Sequence, residues 1–152
     1  MSLIADLGKD AVNLPNILDE YETALEGYEK NLVIKGKKLE HANSEHPGWQ
    51  SYYDERRIEL HTLVKYFEVQ ISRVRGTLFK SYTETYSREL DGRSKDRYID
   101  HESEYLKINE IYLEVKDLHD RYAAVVDAFR SRGFALNNIT KIRVAALEDA
   151  VI

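Results

Sequence analysis

The chain has no cysteine among its 152 residues. That excludes a disulfide scaffold, thiol catalysis, CxxC redox chemistry and cysteine-type zinc sites. It has only two prolines and seven glycines, too few for low-complexity linkers or for an all-β chain dense in turns. No stretch approaches the ~20 apolar residues of a membrane span. The opening residues lack the basic and apolar regions of a secretory signal. The expectation is an intracellular protein that does not engage a membrane.

Catalytic motifs are missing too. There is no P-loop, no GxGxxG and no HExxH. His101-Glu102 opens such a pair, but Tyr105 stands where the second histidine would be. His41, His46, His61 and His119 lack partners at a metal-helix spacing and read as surface or boundary residues. Asp100, Glu102 and Glu104 are two apart, which on a helix points neighbours about 200° apart, so they do not converge. No metal, no cofactor and no enzymatic activity are expected.

What the chain does have is helical periodicity. Hydrophobic residues make up 43% and charged residues 32%, the balance of a folded domain. Residues 1–16 show no strong period and read as an N-terminal arm. Leu18, Tyr21, Leu25, Tyr28, Leu32 and Leu39 follow a 3-4 repeat with Lys35 at the missing place, which predicts helix one over 17–42. Gly27 and Gly36 weaken it, and one of them could mark a close backbone approach. Residues 43–51, with Pro47-Gly48, read as a loop. Leu60, Val64, Phe67, Ile71, Val74 and Leu78, extended by Tyr82 and Tyr86, predict helix two over 52–87. Residues 88–96 read as a loop around Asp91-Gly92. Ile111, Val115, Leu118, Tyr122, Val125 and Phe129, widened by Tyr105, Ile108, Tyr112 and Val126, predict helix three over 97–131. Arg132-Gly133 reads as its end, with a glycine cap. A short helix four over 139–149 would carry Ile139, Ile142, Val144, Ala146 and Leu147.

The expected fold is therefore all-α: an elongated, self-assembling bundle of three long helices plus a short C-terminal helix. Its parts are an arm (1–16), a long-helix bundle (17–131) and a C-terminal turn with an oligomerisation helix (132–152). A 36-residue helix is about 54 Å long, whereas a compact globule of this size has a radius of gyration of about 15 Å. Seams that long call for partners.

Charge is patterned rather than uniform. The net charge is −5, yet residues 31–80 carry nine basic and six acidic groups. Within them begins an acid-free window, residues 69–83, holding Arg73, Arg75 and Lys80 with Phe79 and Tyr82 interleaved. Basic groups that track phosphates and aromatic faces that stack bases are what single-strand binders combine. The alternative is that the aromatics belong to the core seam and the cations to a solvated face. Lys35, Lys37 and Lys38 form a second basic cluster, open to the same two readings.

Ser131-Arg132-Gly133-Phe134-Ala135-Leu136, then Ile139 and Arg143, resembles the C-terminal region of the UvsY recombination-mediator family of T-even-type phages. Asp96-Arg97-Tyr98 followed by Glu102, and Val126-Asp127 with Tyr122 upstream, are similar to further features of that family. The resemblance extends over residues 18–147. It implies a protein that binds single-stranded DNA and self-assembles, in a ring of six or seven copies. It further implies loading of a RecA-like recombinase onto strands coated by single-strand-binding protein, in the cytoplasm of the infected host cell. The family's Leu-Lys-x-Arg-Leu motif corresponds to Val74-Arg75-Gly76-Thr77-Leu78, with Thr77 in place of the second cation. The expected DNA contacts are Arg73, Arg75, Phe79, Lys80 and Tyr82, with Arg75 favoured. Arg132, Gly133, Phe134, Ile139 and Ile142 are the expected oligomerisation residues, with Phe134 folding back onto the core. The competing reading is a helical structural or assembly protein that only oligomerises.

Overall fold

The computed structural model describes residues 13–85 and 89–145. Most of the described residues are helical, and none lies in a strand. In chain order they form α1 (Leu14–Leu25), α2 (Tyr28–Leu32), α3 (Leu39–Thr85), α4 (Gly92–Ile99) and α5 (Ser103–Val144). The all-α class is as expected, but the division into elements differs. Among the described residues there are two long helices rather than three. Most of the N-terminal arm, Tyr86, and the apolar residues Ala146 and Leu147 of the expected helix four lie outside the described residues.

The expected helix one breaks at its glycines. Gly27 adopts φ 72° and Gly36 φ 83°, left-handed values that cost other L-residues about 1–2 kcal/mol. The chain turns at each, giving α1, the single short turn of α2, and an irregular connection over 33–38. Neither glycine marks a close contact, since a Cβ built on either meets nothing within 4 Å.

Conversely, the expected loop at 43–51 is helix. Pro47 lies inside α3, where it gives up one backbone hydrogen bond and crowds the preceding turn. Tertiary contacts offset that cost. Ala42, Glu45, His46, Trp49 and Tyr53 fall at i, i+3, i+4, i+7 and i+11 and so share one helix face. Ala42 and Tyr53 are buried, and the ring of Tyr53 stacks on Phe129 of α5 at 5.1 Å.

The chain divides into two compact units, and each long helix contributes to both. One unit contains 59–119. Its core is Leu60, Leu63, Val64 and Phe67 from α3, Ile99 from α4, and Val115 and Leu118 from α5. The other contains 15–58 and 120–152. Its core is aromatic: Tyr21 meets Tyr122 edge-on at 6.1 Å, and Tyr53 lies 6.3 Å from Tyr122. The Tyr122 hydroxyl donates to the Tyr21 carbonyl at 2.6 Å. Burial pushes that hydroxyl up to about 12, so it remains a donor. Asn31 donates to the Tyr53 hydroxyl at 3.1 Å, tying α2 to α3.

The C-terminal turn expected at Arg132-Gly133 does not form. Helix α5 runs through both residues to Val144. Gly133 has a different role there. A Cβ on it would lie 2.7 Å from Nε2 of His46, so the absence of a side chain lets the imidazole lie against α5. In contrast, a Cβ on Gly48 or Gly76 meets nothing within 4 Å, and both are interior to α3.

These glycines should therefore respond oppositely to alanine. Gly48→Ala and Gly76→Ala should each stabilise by about 1 kcal/mol through helix propensity, raising Tm by about 3 °C. Gly133→Ala gains the same propensity but overpacks the His46 site at about 1–3 kcal/mol, and Tm should fall. Thermal melts of the three variants check the contrast.

Candidate nucleic-acid interface

The acid-free window of residues 69–83 lies on α3, in the unit that contains 59–119. Its cations have unlike surroundings. The Arg75 guanidinium donates through Nη1 to Oδ1 of Asp100 at 2.8 Å and through Nη2 to Oδ1 of Asp96 at 3.4 Å. It also lies 5.0 Å from the ring centre of Tyr105. Hydrogen bonding to Asp100, ahead of the remaining effects, raises its pKa further. Arg75, favoured from the sequence as the leading phosphate contact, thus already holds two carboxylate partners. The window is free of acids along the chain, but α4 brings Asp96 and Asp100 to Arg75 from 21 and 25 residues away.

The aromatic residues of the window are occupied as well. The Lys95 ammonium of α4 sits 4.9 Å from the Phe79 ring centre and donates to Thr83 Oγ1 at 3.0 Å. Tyr82 stacks on Tyr98 with ring centres 5.6 Å apart, and its hydroxyl donates to Glu102. Helix α4 thus lies along this part of α3 through Arg75, Phe79, Tyr82 and Thr83. The local sequence prepares it to do so. Asp91 caps its start by accepting from the Ser94 backbone N–H at 2.7 Å, and hydrogen bonding with the Ser94 side chain, followed by that backbone bond, holds the Asp91 carboxyl below its usual range.

Arg73 and Lys80 remain. They are seven residues apart and share a helix face, and both are exposed. Lys80 makes a loose surface pair with Glu84 at 3.8 Å, worth little. Among the described residues no hydrogen bond or ion pair holds Arg73. Of the five residues expected to contact DNA, the structure thus presents two open cations on one face. It places Arg75, Phe79 and Tyr82 against α4.

The expected oligomerisation residues divide similarly. Phe134 is 72% exposed and Ile142 45% exposed, roughly 80° apart around α5 at 100° per residue. Phe134 does not fold back onto the core. Ile139 is half-buried. Arg132 faces inward and is only 4% exposed. Its Nη2 donates to Glu45 at 2.7 Å, its Nη1 to His46 Nδ1 at 3.1 Å, and its Nε to the Leu32 carbonyl at 3.1 Å. Lys37, from the second basic cluster, completes the group by pairing with Glu45 at 2.6 Å. Sequence reading missed this site. The available signal was the spacing of Ala42, Glu45, His46 and Trp49, masked by their mixed polarity.

Among the described residues no three His, Asp or Glu side chains gather as metal ligands. No described helix is long and apolar enough to cross a membrane.

The arrangement of helices has a counterpart among solved structures. The fold is similar to that of the bacteriophage T4 recombination mediator protein UvsY, with a TM-score of 0.69 and 19% sequence identity. The match covers 83% of this chain and 98% of the phage protein. No protein-family model matches the sequence, and no curated protein is significantly similar to it.

Two consequences can be measured. Arg75→Ala should release α4 from α3 and cost about 1 kcal/mol, the scale of exposed ion pairs. Hydrogen exchange should then quicken across Gly92–Ile99 and not across α1.

The Arg132 group should make stability pH-dependent. Burial, reinforced by the Arg132 charge, holds His46 below its ordinary value. The Lys37 hydrogen bond, followed by that of Arg132, holds Glu45 low. Both folded values are depressed, so the stabilisation is complete above the unfolded values. It is lost as pH falls, first below about 6.5 for His46 and then below about 4.3 for Glu45. The urea midpoint of the parent should drop between pH 7 and pH 5. Arg132→Met should cost about 3 kcal/mol at pH 7, the lower end for breaking a buried ion pair, because Lys37 still faces Glu45. It should also flatten that drop.

Proposed function

We propose that this chain is a recombination mediator. It binds single-stranded DNA without reading sequence, assembles into a closed homo-oligomer, and loads a RecA-like recombinase onto strands coated by single-strand-binding protein. The observation that carries the reading is the fold shared with the T4 mediator over 98% of that protein's length. The sequence resemblance around Ser131–Leu136 supports it independently.

The physical chemistry suits the role. A mediator must hold a strand and release it. Few open cations per subunit, repeated around an oligomer, give tight yet exchangeable binding through effective concentration. A net charge of −5 with localised open cations such as Arg73 and Lys80 fits weak contact per subunit. Phosphate contacts and stacking require no base readout. Phe134 and Ile142, exposed on α5, supply apolar surface for assembly.

Two measurements test this together. Labelled oligothymidine should bind, with affinity falling steeply between 50 and 200 mM salt and a slope of about −0.7 per neutralised phosphate. Light scattering should give a mass six or seven times that of the chain. Phe134→Ser with Ile142→Ser should lower that mass while helicity is kept. A protein that assembles but shows no salt-sensitive strand binding would be a structural assembly protein instead.

A further inference from the structure

Helix α4 carries a second cationic line, and the geometry points to it as a single-strand contact surface distinct from the window on α3. This inference rests on the reading that the chain binds single-stranded DNA, and it names where.

The argument begins with the two sides of α4. Its inner side is fully committed. Ile99 is buried, Lys95 is held by Thr83 and the Phe79 ring, and Asp96 and Asp100 are paired with Arg75. Arg93 and Arg97 are four residues apart on the other side of α4, and His101 follows four residues further on, in the turn after the helix. All three are exposed. Among the described residues neither guanidinium is held by a hydrogen bond or ion pair.

Local acids would normally cancel such a line. Here Arg75 engages the carboxylates of Asp96 and Asp100, which leaves Asp91, bonded to the Ser94 backbone, as the acid that Arg97 feels at the start of the helix. Arg75 thereby leaves the α4 cations less compensated than their sequence neighbours suggest. The surface is also shaped. Ser94, Arg97, Tyr98 and His101 line an open depression of about 520 Å³. His101 donates from Nδ1 to the Arg97 carbonyl at 2.8 Å. Tyr98 is 46% exposed beside the cations, and its ring continues a stack begun by Tyr82. Phosphates on Arg93 and Arg97, with a base against Tyr98, combine the two elements that hold a strand independently of sequence.

The test uses the full chain and labelled oligothymidine, by fluorescence anisotropy at 50 and 200 mM salt. The parent is compared with Arg93→Ala/Arg97→Ala, with Arg93→Lys/Arg97→Lys, and with Arg73→Ala/Lys80→Ala. The alanine pair on α4 should bind roughly 10- to 100-fold more weakly at 50 mM, with a salt slope shallower by about 1.4, two phosphates at about 0.7 each. The lysine pair should restore most of the slope. Circular dichroism and oligomer mass should not change, since neither arginine is part of the packing. If the parent binds and the alanine pair binds equally well with the same slope, α4 is not the contact surface, and the strand-binding reading stands without it. If the parent does not bind oligothymidine at all, the proposed function itself fails, and this inference with it.

Discussion

Arg132 is a cation held almost entirely out of water, and in the unit that contains it everything nearby is arranged around that fact. Removing a guanidinium from water costs several kcal/mol unless charge and hydrogen bonds replace the solvent. Here Glu45 supplies the charge, His46 a ring nitrogen, and Leu32 and Ala42 their carbonyls. Those acceptors come from the end of α2 and the first turns of α3. One side chain of α5 therefore fixes where both segments sit. It also accounts for Pro47 inside a helix and for Gly133, which leaves room for the imidazole.

A comparable constraint acts in the other unit, with a different result for function. Arg75 looks like a DNA contact when its neighbours are counted along the chain. In three dimensions it joins α4 to α3 through two carboxylates. A basic residue that organises structure cannot also be the main phosphate ligand without giving up its partners. The cations left open, Arg73 and Lys80 on α3 and Arg93 and Arg97 on α4, are those no fold contact requires.

Legibility followed the physics of each signal. Long runs with apolar residues at 3-4 spacing, such as Leu60 to Leu78 and Ile111 to Phe129, read directly as helices, because burying one stripe is a local pattern. Boundaries were not legible. Asn43 to Gly48 has the composition of a loop, and only contacts with α5 keep it helical. Gly27 and Gly36 lie in a leucine-tyrosine stripe interrupted at Lys35, yet the chain turns at both. Gly133 resembles a cap and is instead a point of close side-chain approach.

The sequence by itself determined the all-α class, the two main apolar seams and the residue types available for contacting a polyanion. These depend on composition and on periods of three or four residues, which survive without tertiary information. Only the tertiary structure decided which of those residues are open. Charge compensation depends on distance in space, and Asp96 and Asp100 come within 3.4 Å of Arg75 from more than twenty positions away. Burial depends on which faces meet, so Arg132 lies inside while Phe134, two residues on, is exposed.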